Sequence, residues 1–118
     1  MSTPENIRNI EHLGALTLAL GEAVSDLEKH EVTAVHAEAD YKLAQARAFR
    51  DAVGSVEARK MAAVEACDQL FRTWGEAAAV VTAQKAHIRA LHTRIDVGRT
   101  KIATVRAEVS LAGYGGAA

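Results

Sequence analysis

The residues most able to do chemistry are cations near the C-terminal end. Residues 82–118 hold Lys85, Arg89, Arg94, Arg99, Lys101 and Arg106 against only Asp96 and Glu108, a net of +4. Residues 1–81 hold eight Lys/Arg against thirteen Asp/Glu, a net of −5. In ALHTRIDVGRTKIATVRAEV the cations alternate with Leu91, Ile95, Ile102, Val105 and Val109. At 100° per residue this gives an apolar stripe bordered by positive charge. Such a surface can neutralise phosphates and release counterions without reading sequence. The plainer alternative is a solvated face whose long aliphatic stems cover the edges of a core. Arg59 and Lys60 form a second candidate, because two cations at a free helix N-terminus can hold a phosphate. They can equally be an exposed pair balanced by Glu57 and Asp51.

Other chemistries find little support. His30 lies at helical seam spacing and reads as a polar note that sets register. His36 and Asp40 are one turn apart with no third ligand anchored by spacing, so no metal site is expected. Cys67 is the sole cysteine and reads as a buried, reduced side chain. There is no Gly-rich phosphate loop, HExxH or nucleophile elbow. The carboxylates are scattered, so no enzyme activity and no cofactor are expected. Stacking aromatics, which single-strand binders commonly use, are absent from 82–113.

The elements that must position these cations are helices. The 118 residues contain one proline and abundant alanine among Glu, Lys, Arg, Leu and Val, a mixture of strong helix formers. Thr3-Pro4-Glu5 is a good helix start. From Leu13 a three-four spacing runs through Leu16, Leu20, Ala23, Leu27, His30, Ala34, Ala37, Tyr41, Ala44 and Ala48. Gly14 and Gly21 mark a bend, or a break after a short extra N-terminal helix. Gly54 and Ser55 end one helix and cap the next, which is expected over about 56–111. That second helix reads Val64, Cys67, Phe71, Trp74, Ala78, Val81, then Ile88, Leu91, Ile95, Gly98, Ile102, Val105, Val109. The two stretches differ in phase by one position around Ala83–Ala86. The expected fold class is therefore all-α. It is a long antiparallel helical hairpin forming one domain over 1–112, with a flexible Gly-rich tail over 113–118.

A lone hairpin is thin, and Leu18, Val24, Val32, Val35, Leu43 and Phe49 lie off the first seam. The expectation is a homo-oligomeric bundle, with Leu13, Leu20, Leu27, Trp74, Ile88, Ile95, Ile102 and Val109 as its interface. No run of about 18 apolar residues exists, so no membrane span is expected. MSTPENIRNIE has no basic and apolar leader pattern, which points to the cytoplasm.

Four strings resemble the UvsY-like recombination mediators, small all-helical phage proteins, over roughly residues 30–112. These are AEADYKLAQARAFR, the basic step SVEARKMAAVE, LFRTWGEAAAVV with its one Trp, and the terminal ALHTRIDVGRTKIATVRAEV. The resemblance implies a non-enzymatic oligomer that binds single-stranded DNA and helps load a recombinase or annealing protein in the host cytoplasm. Arg59 and Lys60 would match the basic step, and Arg94, Arg99, Lys101 and Arg106 the terminal helix. The chain's net acidity and few aromatics depart from that role. The alternative is a coiled-coil adaptor or phage structural protein with no nucleic-acid binding, whose basic helix pairs with a neighbour's Glu22, Asp26, Glu28, Glu31, Glu38 and Asp40. A weaker third reading is an inhibitor whose acidic half mimics DNA.

Overall fold

The computed structural model describes residues 4–116, with side chains to 113. The chain is all-α and forms a helical hairpin: α1 over Pro4–Asp51, α2 over Val56–Ala66 and α3 over Asp68–Gly116, with no strand among the described residues. Thr3 and its expected capping role lie outside the described residues. The turn forms where Gly54 and Ser55 predict it. Gly54 has φ 119°, a region closed to most L side chains. Ser55 Oγ accepts from the Ala58 N–H at 3.2 Å and caps α2.

The first seam is read correctly position by position. Each residue from Leu13 to Ala48 in the three-four series is buried or half-buried. The seam also extends one heptad further toward the N-terminus, through buried Asn6 and half-buried Asn9. A pattern built on apolar residues passes over both.

Several expectations need correction. The helix does not break at Gly14 or Gly21; α1 is continuous, and the short helix is α2, after the turn. The second arm is not one helix from 56, because it is interrupted at Cys67 (φ −108°, ψ 12°). There the backbone leaves helical geometry while the Cys67 N–H still donates to Ala63 O and Cys67 O still accepts from Phe71 N–H. Gly113 does not stop α3, which continues to Gly116; residues 117–118 of the expected tail lie outside the described residues.

No phase slip occurs at Ala83–Ala86. The buried and half-buried positions of the second arm run Cys67, Leu70, Trp74, Ala77, Val81, Gln84, Ile88, Leu91, Ile95, Gly98, Ile102 and Val105. That is an unbroken alternation of three and four, passing through a glutamine. Val64, Phe71 and Ala78 sit one place off it, with Val64 and Phe71 55% and 52% exposed. Ala63, Leu70 and Ala77 take the inward places instead. Most of this half of the joint is made of small side chains, and Trp74 against Tyr41 is the large contact within it.

The chain divides into two compact units. One takes in the residues up to Val24 with those from Ala86 on; the other is Ser25–Lys85. The first has an aliphatic core of Leu16, Ala23, Leu91 and Ile95, flanked by Leu13, Ala19, Leu20 and Ile88. The second packs Tyr41 against Trp74 and Phe71, with ring centroids 5.5 and 5.4 Å apart. Each such pair contributes about 0.5–1.5 kcal/mol beyond area burial.

A candidate anion-binding surface

The first unit places its cations on the two edges of the α3 seam. A helix facing another buries its three-four positions, and the residues that flank each three-residue step, one before it and one after it, lie along the joint. On α3 they are Arg94 and Lys101 along one edge, and His92, Arg99 and Arg106 along the other. The corresponding α1 edge residues are His12 and Ala19 on one side, and Ile10, Thr17 and Val24 on the other. Glu5 is the only carboxylate among the α1 edge positions of this unit. Glu11 and Glu22 lie outside the joint.

The electrostatic consequence is direct. Arg89, Arg94, Arg99, Lys101 and Arg106 are all exposed, and none makes an ion pair among the described residues. The four ion pairs found there are Lys42–Glu38, Arg50–Asp51, Arg72–Asp68 and Lys85–Glu31, all within Ser25–Lys85. Lys85, the first of the expected series, is thus set apart from the rest. Its Nζ lies 3.9 Å from Glu31 Oε1, along an edge where α1 does offer a carboxylate.

Arg59 and Lys60 part company. The Arg59 Nε–H donates to the Phe49 carbonyl at 3.2 Å, and the guanidinium lies 4.3 Å from the Phe49 ring centroid. It satisfies one of the free carbonyls at the end of α1 and fastens α2 to that helix. One of the Arg59 guanidinium donors is thus engaged at the turn. Lys60 is exposed beside an apolar groove of Ala46, Phe49, Ala63 and Val64.

The expected oligomer interface is likewise reassigned. Leu13, Leu20, Ile88 and Ile95 pack in the intramolecular core, and Ile102 is buried. Leu27 is half-buried, and so is Trp74, which stacks on Tyr41. Only Val109 is open, at 50%. The seam is consumed by the hairpin itself, since one heptad stripe can face one neighbour. The large apolar side chains left outside on α1 are Ile7, Ile10, Leu18, Val24, Val32, Val35 and Leu43.

Two grooves adjoin on the first unit. One, about 240 Å³, is lined by Asn9, His12, Thr93, Arg94, Val97, Gly98 and Lys101. The other, about 580 Å³, overlaps it through Asn9, Thr93, Val97 and Lys101 and also carries Glu5, Asp96 and Glu108. The end bounded by His12 and Arg94 favours anions, and the end with Glu5 and Glu108 opposes them. Sequence reading missed Asn9 and His12, which lie more than 80 residues from their groove neighbours; only their spacing from Leu13 and Leu16 could have signalled them. Among the described residues no group of three or more His, Cys, Asp or Glu could hold a metal ion, and no helix is long and apolar enough to cross a membrane. Cys67 is free and buried. No protein-family model, curated protein or solved structure matches the chain.

Proposed function

We propose that the chain is a non-enzymatic accessory protein that binds single-stranded DNA without sequence preference, in the manner of the recombination mediators its sequence resembles. The observation that carries this reading is the set of exposed cations on α3 that lack carboxylate partners: Arg89, Arg94, Arg99, Lys101 and Arg106. A cation already paired within the protein gains little from a phosphate, because it exchanges one partner for another. An unpaired one adds a favourable contact and releases a condensed counterion. The sugar-phosphate backbone would lie along the α3 edges with its bases turned outward, open to a recombinase or annealing protein. Self-association through the outer face of α1 would place several such edges together. The setting proposed is the cytoplasm of a phage-infected cell.

The test is a salt titration of oligonucleotide binding by fluorescence anisotropy. If about four cations engage phosphates, the log–log slope is about −3, from about −0.7 per single-strand phosphate. The double reversal Arg99→Glu/Arg106→Glu abolishes binding while leaving the helical content unchanged. Absence of binding in dilute buffer sinks the proposal.

A second reading is favoured by the outer apolar side chains of α1, where Leu18 is 67% exposed and Val35 65%. On that reading the chain is an adaptor or phage structural protein, and its basic α3 edge docks on a neighbour's acidic α1. The same reversals would then shift the sedimentation coefficient and leave oligonucleotides unbound throughout.

A further inference from the structure

We propose that the groove bounded by His12, Arg94 and Lys101 is a binding site for a terminal phosphate group, a phosphate monoester distinct from the diester backbone. Two helices build it. α1 contributes Asn9 and His12, and α3 contributes Thr93, Arg94, Val97, Gly98 and Lys101. Arg94 and Lys101 are seven residues apart on one edge of α3, about 10 Å along the axis. Gly98 lies between them and is buried. A Cβ there would come within 3.4 Å of Leu13 Cδ1, so the floor of the groove is low because this position has no side chain.

The donors available to an oxyanion can be counted. The Thr93 hydroxyl is committed, donating to Arg89 O at 3.2 Å. The donors that remain are the Asn9 amide, the His12 ring, the Arg94 guanidinium and the Lys101 ammonium. A guanidinium and an ammonium together match the two negative charges of a phosphate monoester, and charge-assisted hydrogen bonds to phosphate are the strong kind.

The surroundings argue for a chain end over a continuous strand. Past Lys101 the overlapping groove carries Glu5 and Glu108, while Asp96 lies on its α3 wall between Arg94 and Lys101. A backbone continuing that way would bring its next phosphates against the carboxylates of Glu5 and Glu108. A terminal phosphate meets no such cost, because its chain leaves toward the opposite side. The site therefore holds the phosphorylated end of a strand, while Arg99 and Arg106 on the other edge serve the backbone.

The inference uses the single-strand reading only for the source of the phosphate; the anion site itself stands or falls separately. Inorganic phosphate is titrated into the full chain and followed by NMR, with chloride at matched ionic strength as the reference. Resonances of His12, Arg94 and Lys101 move and saturate, and Arg94→Gln/Lys101→Gln removes the response while Arg72→Gln retains it. Shifts confined to other residues, or a response equal to that of chloride, overturn the site. Two oligonucleotides of one sequence, with and without a 5′-phosphate, then test the source. The phosphorylated strand binds about tenfold more tightly, as one charge-assisted contact would give. Arg94→Gln/Lys101→Gln erases that advantage, and Arg99→Glu/Arg106→Glu abolishes binding of both strands but spares the inorganic phosphate response. Equal affinity for the two strands overturns the terminal-phosphate assignment. Failure of both strands to bind while inorganic phosphate still saturates the groove overturns the single-strand reading and leaves the anion site standing.

Discussion

The two units solve the same packing problem with different chemistry. Ser25–Lys85 joins its helices through alanines and one aromatic group of Tyr41, Phe71 and Trp74, and contains every ion pair found among the described residues. The other unit relies on Leu16, Leu91 and Ile95, and its arginines make no ion pair among the described residues. The difference lies in what α1 sets along the joint. In Ser25–Lys85 it offers four carboxylates, Asp26, Glu31, Glu38 and Asp40; in the other unit it offers one, Glu5, among Ile10, His12, Thr17, Ala19 and Val24. A core that needs no charge pairing frees its flanking cations for an outside partner. In the paired unit, Lys85 is held near Glu31 and Lys42 bonds Glu38.

The contrast can be broken at its cores first. Leu91 and Ile95 are 3% and 4% exposed, so Leu91→Ala or Ile95→Ala should each cost about 2–5 kcal/mol by the cavity left behind. Denaturant melts measure this, and hydrogen exchange should show the loss concentrated near 13–23 and 88–95. Trp74→Ala should cost less, about 2 kcal/mol, because the indole is only half-buried and part of its contact area is already in water. Equal losses at the two sites would remove the distinction between a dry aliphatic core and a wetter aromatic one.

The turn comes next. Gly54→Ala forces a Cβ into φ 119° and within 3.3 Å of Ala58 Cβ, and should destabilise by about 1–2 kcal/mol. Helical glycines act in the opposite direction. A Cβ at Gly21 or Gly75 meets nothing within 4 Å, so Gly21→Ala and Gly75→Ala should each stabilise by about 0.5–1 kcal/mol, one in each unit. A loss at either would reveal a neighbour that covers that face in solution.

The smallest effects are the exposed pairs of Ser25–Lys85. Glu31→Gln should shift stability by less than about 1 kcal/mol. The Asp51 carboxyl is held below its ordinary range, first by the hydrogen bond from Arg50 and then by that residue's charge. Its contribution is therefore present at neutral pH and lost as acid takes the group through its lowered pKa. Both side chains are exposed, so that contribution is small: Asp51→Asn should barely lower the melt at pH 7 and less still at pH 3. A clear change at either pH would show this pair to be more than a surface contact.

Much of the hairpin is legible from residue spacing. The first seam is written in leucines and alanines at three-four intervals, and Gly54-Ser55 announces the turn. The second arm misleads at Val64 and Phe71 because the larger side chain of each neighbouring pair is the exposed one. Phe71 touches Tyr41 from the edge of the joint while Leu70 points inward, and only the facing alanines explain why. Asn6, Asn9 and Gln84 escape because a seam is sought among apolar residues, although a polar layer in a helix joint can set register. The cations were visible as a cluster. Their freedom was not, because it depends on which α1 residues come to lie beside them from more than 60 positions away.

By itself, then, the sequence determined the helices, the turn and the charge imbalance between the two ends. These follow from local propensity and from periodicity, which act over a few residues. Tertiary structure decided which phase of the second arm faces inward, which arginine is spent on the turn, and which cations stay unpaired beside His12. Those outcomes depend on the register between distant helices, and register is settled by the packing of both at once.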